Sequence, residues 1–333
     1  RQLLGAIAGG AVGLAMAFSG MGVWALVAQA LVNQAVSVIV LWSIAGWRPR
    51  LRFSPRHFKD LFGFGVNVLA ANMVRVIGFQ TDRLLLGYFL GAAELGYYSV
   101  AQRVLAIVTD FVAGSAERIV VPLFARIQGD KERVRRGLMT AQRILSLVTI
   151  PAFIGLAAVA PSLVPVGVGR QWLASIQPTE ILAFASLGYC LSFFFGHVVT
   201  ALGRPGVRLG VVVAQGLSQT GLVLFGVQYG VLGVALAVTV NQALFYVVEL
   251  LVLRRLARFS LAAYLREALL PLLAAAAMAV GVVLLQERMA GDPAAIRLAA
   301  GIAVGAVIYG AIILLFARRR LGELVDLAKG LRG

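Results

Sequence analysis

Apolar residues occur along this chain in long runs that are separated by short clusters of glycine, proline and arginine. A helix that crosses a membrane needs about 20 predominantly apolar residues. Because ten runs reach or approach that length, the pattern predicts an all-α, polytopic membrane protein with about ten transmembrane helices. The predicted spans are residues 3–19, 23–46, 60–79, 96–126, 136–160, 177–202, 208–227, 231–253, 267–286 and 297–317.

The composition excludes a water-soluble globular enzyme. Of the 333 residues, 60% are hydrophobic and 13% are charged, whereas soluble proteins average roughly 45–50% apolar and 25% charged residues. The short loops leave no room for a catalytic domain, and the sequence contains no P-loop, HExxH, CxxC or GxSxG motif. The single cysteine, Cys190, lies in an apolar run, so no disulfide framework or metal-ligand cluster is predicted. We therefore predict a protein that is not an enzyme and that needs no metal and no cofactor.

The basic residues indicate membrane orientation rather than nucleic-acid binding. The chain has 30 Lys+Arg against 14 Asp+Glu. If the ten predicted spans cross the membrane, 22 of the basic residues lie in segments on the same side of the membrane as Arg1. Four lie in loops on the opposite side: Arg83, Arg170, Arg288 and Arg297. Since cytoplasmic loops are enriched in lysine and arginine, both ends of the chain are predicted to be cytoplasmic.

An internal similarity predicts how the spans are grouped. The stretch Gly22–Gln34 resembles Gly230–Gln242, and the two belong to spans that run in the same direction. The alternative is a chance match between two apolar helices. Parallel six-helix repeats occur in transporters, so we expect residues 1–46 to end a first lobe, with about four helices before Arg1. The other predicted parts are a basic cytoplasmic linker (47–59), a complete six-helix second lobe (60–257), two additional helices (258–317) and a cytoplasmic tail (318–333).

Ionisable residues inside the predicted spans are the candidate functional residues. Such a group costs at least ~2.5–3.5 kcal/mol on insertion scales, and it usually faces a bundle interior or a water-filled cavity. Arg103, Asp110 and Glu117 follow one another by seven residues, which places them on one stripe of the fourth span. The predicted lumen residues are Asn72, Arg75, Arg103, Asp110, Glu117, Arg118, Arg143, Gln242 and Glu249.

Two alternative interpretations of the polar residues stay open. Pairs such as Gln215 and Gln219 can form hydrogen bonds between packed helices. Arg118 and Arg143 lie within about two turns of a predicted cytoplasmic helix end, from which a long side chain can reach the surface. Taken as one set, the residues predict a hydrated, cationic lumen in the second lobe. Because arginine binds phosphate through a planar fork, such a lumen suits an anionic substrate such as a pyrophosphate.

A family resemblance is carried by the stretches Gly20–Val27, Trp47–Leu51, Asp82–Tyr98 and Leu202–Pro205. They resemble the polysaccharide-exporter family of the multidrug/oligosaccharidyl-lipid/polysaccharide superfamily, the Wzx-type flippases. The resemblance extends from near Arg1 to about residue 260. It implies twelve or fourteen helices in two six-helix lobes, with this chain starting at about the fifth helix.

The resemblance also implies a function and a location. It implies a flippase that moves undecaprenyl-diphosphate-linked oligosaccharides across the bacterial inner membrane by alternating access, for lipopolysaccharide, capsule or exopolysaccharide biosynthesis. The implied partners are this lipid-linked oligosaccharide, membrane lipids and a coupling ion, with H⁺ and Na⁺ both open. The alternative is a cation-coupled multidrug or lipid II exporter of the same superfamily. A membrane glycosyl polymerase or ligase is disfavoured because the longest outer connection, around residues 161–176, is short.

Overall fold

The computed structural model describes residues 2–44, 55–126 and 131–316; the side chains of residues 2, 56–61, 63–79, 115–126, 131 and 205 are outside the described set. Within these ranges the chain is helical and contains no strand, which confirms the predicted all-α class. Single 3-10 segments occur at Arg170–Ser175 and Val227–Tyr229. The helices are α1 (Gln2–Phe18), α2 (Val23–Ile44), α3 (Pro55–Arg126), α4 (Lys131–Gly167), α5 (Ile176–Leu191), α6 (Phe193–Ala201), α7 (Pro205–Gly226), α8 (Gly230–Ala257), α9 (Leu261–Arg288) and α10 (Ala294–Phe316).

The helices agree with most of the predicted spans. In the described part of the chain, seven helical stretches are long and apolar enough to cross a membrane by length and composition, and α1 contributes a shorter apolar helix. One of the seven, Gly206–Ala257, contains both α7 and α8. The count of ten spans is consistent with these helices and stays a prediction. Most of the predicted linker and the whole tail, residues 318–333, lie outside the described residues.

One predicted boundary is wrong. We expected residues 80–95 to form an outer loop that contains Arg83, but these residues are helical and belong to α3. The helix is interrupted at a single position, Gly91, where φ is 86° and ψ is −178°. A positive φ is open to glycine because it has no Cβ. The connection between the two predicted spans is therefore a sharp break in a helix rather than a loop.

The chain divides into two compact units, residues 1–68 and 69–333. In the first unit, α1 and α2 pack closely because glycines of α1 lie against polar residues of α2. A Cβ on Gly9 would lie 2.6 Å from the carbonyl oxygen of Gln29, and one on Gly13 would lie 2.9 Å from the Cβ of Gln29. Small residues allow helix backbones to approach closely in membranes, which explains the close contact at Gly9 and Gly13.

The second unit is built around a core that α3, α4, α5, α7 and α8 share. Tyr98, Leu138 and Phe153 are fully buried there. The outer faces are apolar too, since Leu217 and Val247 are more than half exposed. A helix that is hydrophobic on all sides is typical of a membrane span, because lipid is as apolar as the protein core.

The last two helices pack on α4. Gly301 and Gly305 of α10 face Val282 of α9, and a Cβ on Gly305 would lie 3.2 Å from its side chain. The hydroxyl of Tyr309 donates a 2.8 Å hydrogen bond to the carbonyl oxygen of Leu147 on α4. Gly301 and Gly305 thus allow α9 and α10 to pack closely, whereas a Cβ on Gly206 or Gly210 of α7 would meet nothing within 4 Å.

Candidate functional site: a polar cavity among α3, α5, α7 and α8

The two parts of α3 on either side of Gly91 lie against each other. The hydroxyl of Tyr98, after the break, donates a 2.6 Å hydrogen bond to Oδ2 of Asp82, before the break. Such a contact between residues of one helix requires the chain to turn back at the break. Gly91 therefore brings polar side chains from both parts of α3 to one place.

Asp82 is the centre of this polar cluster. It is 2% exposed, and its Oδ2 also accepts a 3.2 Å hydrogen bond from Nε2 of Gln102. Its Oδ1 accepts a 2.9 Å hydrogen bond from the backbone N–H of Arg83, whose Nε donates to Oε1 of Gln102. A buried carboxylate is costly unless it is hydrogen-bonded. The three donors meet this need, and they fix the positions of Arg83 and Gln102.

A cavity of ≈ 360 Å³ lies next to the cluster, between α3, α5, α7 and α8. This volume is within the range of small-molecule sites, about 300–1,000 Å³. Its polar lining comes from all four helices. The lining residues with polar side chains are Asp82, Arg83, Gln102, Thr109, Asp110, Ser186, Tyr189, Gln219 and Gln242.

Side-chain amides join α7 to α8 along one wall of the cavity. Nε2 of Gln215 donates a 3.1 Å hydrogen bond to Oε1 of Gln242, and Nδ2 of Asn241 donates a 3.4 Å hydrogen bond to Oε1 of Gln219. Gln215, Gln219 and Asn241 are buried. The predicted alternative, hydrogen bonding between packed helices, is therefore confirmed for these residues. Gln219 and Gln242 line the cavity as well, so the same contacts also hold its polar wall in place.

The described lining is mixed in charge rather than cationic. It contains one arginine, Arg83, and two aspartates, Asp82 and Asp110. Amide and hydroxyl groups make up the rest of its polar surface. Groups of this kind donate and accept hydrogen bonds without a net charge, which suits a ligand that has many hydroxyls and a small number of charges.

Two of the nine predicted lumen residues, Asp110 and Gln242, meet at this cavity. Arg103 is exposed and is not among the lining residues. Glu249 lies elsewhere, in a small cavity between the α5–α6 joint, α8 and α9. The side chains of the other residues of the α3 set lie outside the described part of the structure. These are Asn72, Arg75, Glu117 and Arg118.

Arg143 forms an ion pair away from the cavity. Its Nε donates a 2.9 Å hydrogen bond to Oε2 of Glu267, and its Nη2 donates a 3.3 Å hydrogen bond to Oε1 of the same carboxylate. The pair connects α4 to α9 and is partly buried on both sides. Paired arginine–carboxylate contacts of this kind are geometrically specific. The structure thus gives Arg143 a role in packing the additional helices against the core of the second unit.

Asp82, Arg83 and Gln102 are not among the lumen residues predicted from the sequence. The charged pair Asp82-Arg83 was expected in a loop because the pair interrupts an apolar pattern. A signal for Gln102 was present: Gln102 and Thr109 are seven residues apart, the same spacing that selected the stripe starting at Arg103. Successive residues of a helix point in directions about 100° apart. The predicted stripe, which starts at Arg103, therefore lies on a different face of α3 from the stripe of Gln102 that lines the cavity.

Comparison with known proteins gives the family. A model of the polysaccharide biosynthesis protein family matches residues 1–177, which include Asp82, Gln102 and Asp110. The chain is 29% identical over 294 residues to the teichuronic acid biosynthesis protein TuaB of Bacillus subtilis (strain 168), covering 86% of this chain and 60% of that protein. It is 27% identical over 326 residues to the succinoglycan biosynthesis transport protein ExoT of Rhizobium meliloti (strain 1021), covering 96% and 66%.

A third relative agrees with this assignment, and a solved structure shares the fold. The lipopolysaccharide biosynthesis protein WzxC of Escherichia coli (strain K12) is 26% identical over 215 residues, which are 64% of this chain and 44% of that protein. The lipid II flippase MurJ in an inward closed conformation has the same fold, with a TM-score of 0.73, 16% identity, and coverage of 96% of this chain and 68% of MurJ. This chain thus spans about two thirds or less of the curated relatives' length. It is a multi-pass membrane protein, and it belongs to the polysaccharide biosynthesis protein family.

Proposed function

We propose that this protein moves a lipid-linked oligosaccharide across the bacterial inner membrane for polysaccharide biosynthesis, and that it transports its substrate without a catalytic step. The observation that carries the proposal is the ≈ 360 Å³ cavity, whose polar lining is supplied by helices with apolar outer faces. A polar cavity inside a membrane bundle is expensive to maintain and usually marks a substrate pathway. The names of the relatives, which include a succinoglycan transport protein, support the same reading.

The lining fits the chemistry of a glycan linked through phosphate. The amides of Gln102, Gln219 and Gln242 donate and accept hydrogen bonds, and sugar hydroxyls need both. The carboxylate of Asp110 accepts hydrogen bonds from hydroxyls. Arg83 supplies the one positive charge of the described lining, and arginine matches the geometry of a phosphate group. The apolar lipid chain would stay outside, against the hydrophobic faces of the helices.

The proposed transport cycle is alternating access. In such a cycle the polar head group occupies a fixed site while two groups of helices rearrange around it. Residues 60–257, the predicted second lobe, would form one of these groups. The break at Gly91 in α3 and the interruption between α5 and α6 at Ser192 are positions where a helix can bend. In this cycle the substrate would move from the inner to the outer leaflet.

Genetic complementation tests the proposal. The full-length parent gene is deleted, and surface polysaccharide and its lipid-linked precursor are measured with wild-type or variant genes restored. We expect Gln242→Ala and Arg83→Gln to lower export by about tenfold, since losing a hydrogen-bonding group costs about 1–3 kcal/mol. Gln228→Ala is the matched control, because Gln228 is exposed and does not line the cavity. Normal polysaccharide in the deletion strain would overturn the proposal.

The same strains distinguish the proposed function from the alternative, export of lipid II or of drugs. A lipid II or multidrug exporter would restore growth after depletion of the lipid II flippase, or would raise drug resistance, while leaving surface polysaccharide unchanged. We expect the parent gene to restore polysaccharide and to do neither of these. The opposite result would assign the cavity to the alternative substrate.

A further inference from the structure

A second cavity lies at the joint between α5 and α6, where α8 and α9 also meet. It is small, ≈ 10 Å³, and therefore has room for about one water molecule. Its polar lining consists of Ser192 at the joint, Tyr246 and Glu249 of α8, and Tyr264 of α9; the other lining residues are leucines and phenylalanines. It shares no lining residue with the larger cavity.

Among the residues that the structure describes, Glu249 is the only one with a carboxyl group in the lining of this small cavity. The residue is 7% exposed, and its Oε2 has no hydrogen-bond partner in the described part of the chain. The described lining contains no lysine or arginine. An ionised carboxylate that is buried without a cation or enough hydrogen-bond donors is strongly unfavourable. In this closed arrangement the cavity therefore favours the neutral acid.

The charged and titratable groups of the neighbouring helices do not reverse this conclusion. Tyr246 and Tyr264 are the titratable groups that face Glu249 within the cavity. On α4, Arg143 is paired with Glu267 of α9, so its charge is already compensated. Cys190 of α5, His197 of α6, Arg208 of α7 and Arg266 of α9 are not lining residues. Gln142 of α4 is fully buried and uncharged.

We propose that Glu249 is the proton-binding site that couples transport to the proton gradient; this inference rests on the proposed transport function. The carboxylate takes up one proton to form the neutral acid, and it releases the same proton later, so no other reactant is needed. The neutral acid is compatible with the closed cavity. The carboxylate requires water, and therefore favours an arrangement in which the cavity opens.

The position of the site connects this exchange to helix movement. Ser192 is the residue that separates α5 from α6, and α5 contributes Ser186 and Tyr189 to the wall of the larger cavity. Opening at Glu249 would change the angle at this joint and thus move a wall of the substrate site. A ligand that binds one arrangement better than the other shifts the equilibrium between them. Here the ligand is a proton, because a cavity for one water leaves no room for the several oxygen ligands of a metal cation.

The first test measures proton binding without transport. The full-length protein in membranes is treated with dicyclohexylcarbodiimide, which reacts with protonated carboxyl groups in apolar surroundings, and modified residues are found by peptide mass spectrometry. We expect Glu249 to be modified, with labelling that falls about tenfold for each pH unit above its midpoint. Exposed Glu287 and paired Glu267 are internal controls that should stay unlabelled. Absence of labelling at Glu249 at every pH, or protection by Na⁺ at constant pH, would overturn the proposal.

The second test measures coupling. Transport of the lipid-linked oligosaccharide is followed in proteoliposomes with and without a pH gradient, for wild type, Glu249→Gln and Glu287→Gln. We expect Glu249→Gln to lower the rate with a gradient to the rate without one, and Glu287→Gln to behave as wild type. A gradient response that survives in Glu249→Gln would overturn the proposal. If Glu249→Gln does not fold, the labelling of the wild type decides alone. Labelling at Glu249 in a protein that exports no polysaccharide would refute the proposed function and leave proton binding intact.

Discussion

Tyr98 donates a hydrogen bond of 2.6 Å to Asp82 across the break in α3, and both residues are almost completely buried. The contact joins two parts of one helix, together with the hydrogen bonds that Gln102 makes with Asp82 and Arg83. A buried carboxylate and a buried tyrosine hydroxyl each need a hydrogen-bond partner, and here each supplies it to the other. The pair therefore fixes the angle of the break and, with it, the position of Arg83 and Gln102.

Replacement of Tyr98 by phenylalanine tests this role. Tyr98→Phe removes one of the donors to Asp82 and leaves the ring in place. We expect a loss of stability of about 1–3 kcal/mol, the cost of a buried acceptor that loses a partner, seen as a lower unfolding temperature in detergent. Tyr97→Phe is the matched control, because the Tyr97 ring packs edge-on against Trp172, and that contact does not need the hydroxyl. Equal effects of the two changes would contradict the role of the pair.

The positive φ of Gly91 leads to a second prediction, which concerns the effect of a side chain at this position on stability. At φ 86° a Cβ is strained, so Gly91→Ala should destabilise the protein by about 1–3 kcal/mol even though no atom lies within 4 Å of the new Cβ. Gly114→Ala, later in α3, adds a methyl group at a helical glycine with open space around it. That change should stabilise by about 0.5–1 kcal/mol. Thermal unfolding of both variants would show opposite shifts; a stabilising effect of Gly91→Ala would contradict the observed break.

The ion pair between Arg143 and Glu267 can be tested with a double-mutant cycle. Each single change to alanine leaves a partly buried charge without its partner, whereas the double change removes both charges. We expect both single variants to be destabilised and the double variant to lose less than their sum, with a coupling of about 0.5–3 kcal/mol. Additive losses would mean that the contact does not contribute. Export activity per folded molecule should stay close to wild type, since neither residue lines the polar cavity.

Substitutions of Asp110 and Arg103 distinguish between the predicted lumen and the observed cavity as the substrate site. Both lie on α3, but Asp110 lines the cavity and Arg103 does not. We expect Asp110→Asn to lower export by about tenfold through weaker hydrogen bonds to substrate hydroxyls, and Arg103→Gln to leave it within twofold or so of wild type. Precursor accumulation and surface polysaccharide provide the measurement. The reverse order would favour the predicted stripe over the observed cavity.

The membrane orientation predicted from the distribution of arginines is testable with single cysteines. The native Cys190 is fully buried, so it should contribute little background. Gly291→Cys lies in the turn between α9 and α10, and Ala262→Cys lies on an exposed position in the first turn of α9. We expect an impermeant maleimide to label Gly291→Cys in intact spheroplasts, and Ala262→Cys only after permeabilisation. Labelling in the opposite order would invert the predicted topology.

Much of the fold follows from local sequence because the membrane imposes a simple rule. Every backbone polar group in lipid must be hydrogen-bonded, so a long apolar run between charged clusters is a helix. The predicted spans agree with α1, α2, α4 and α7 to α10 on this ground. The rule fails where a polar residue lies in a helix and faces protein instead of lipid. Asp82 and Arg83 are such residues, and the apolar pattern alone assigned them to a loop.

The residues of the candidate site were harder to predict from the sequence than the positions of the helices. A helical repeat identifies which residues share a face, but not which face is turned toward other helices, because lipid and protein interior are equally apolar. Arg103 and Gln102 differ by one position along α3, and only the packing of α5 and α8 decides that Gln102 faces the cavity. Glu249 shows the same limit: its spacing from Gln242 places both on one side of α8, but the two residues line different cavities.

The sequence by itself determined the membrane class, the approximate positions of the helices, the predicted orientation and the family resemblance. Each of these depends on features that are local along the chain: the length of apolar runs, the charges between them and short motifs. The tertiary structure decided which polar groups meet: the pair of Asp82 and Tyr98, the ion pair of Arg143 and Glu267, and the separation of the two cavities. The physical reason is that a hydrogen bond or an ion pair forms over about 3 Å, and contacts between residues far apart in sequence are set by how helices pack.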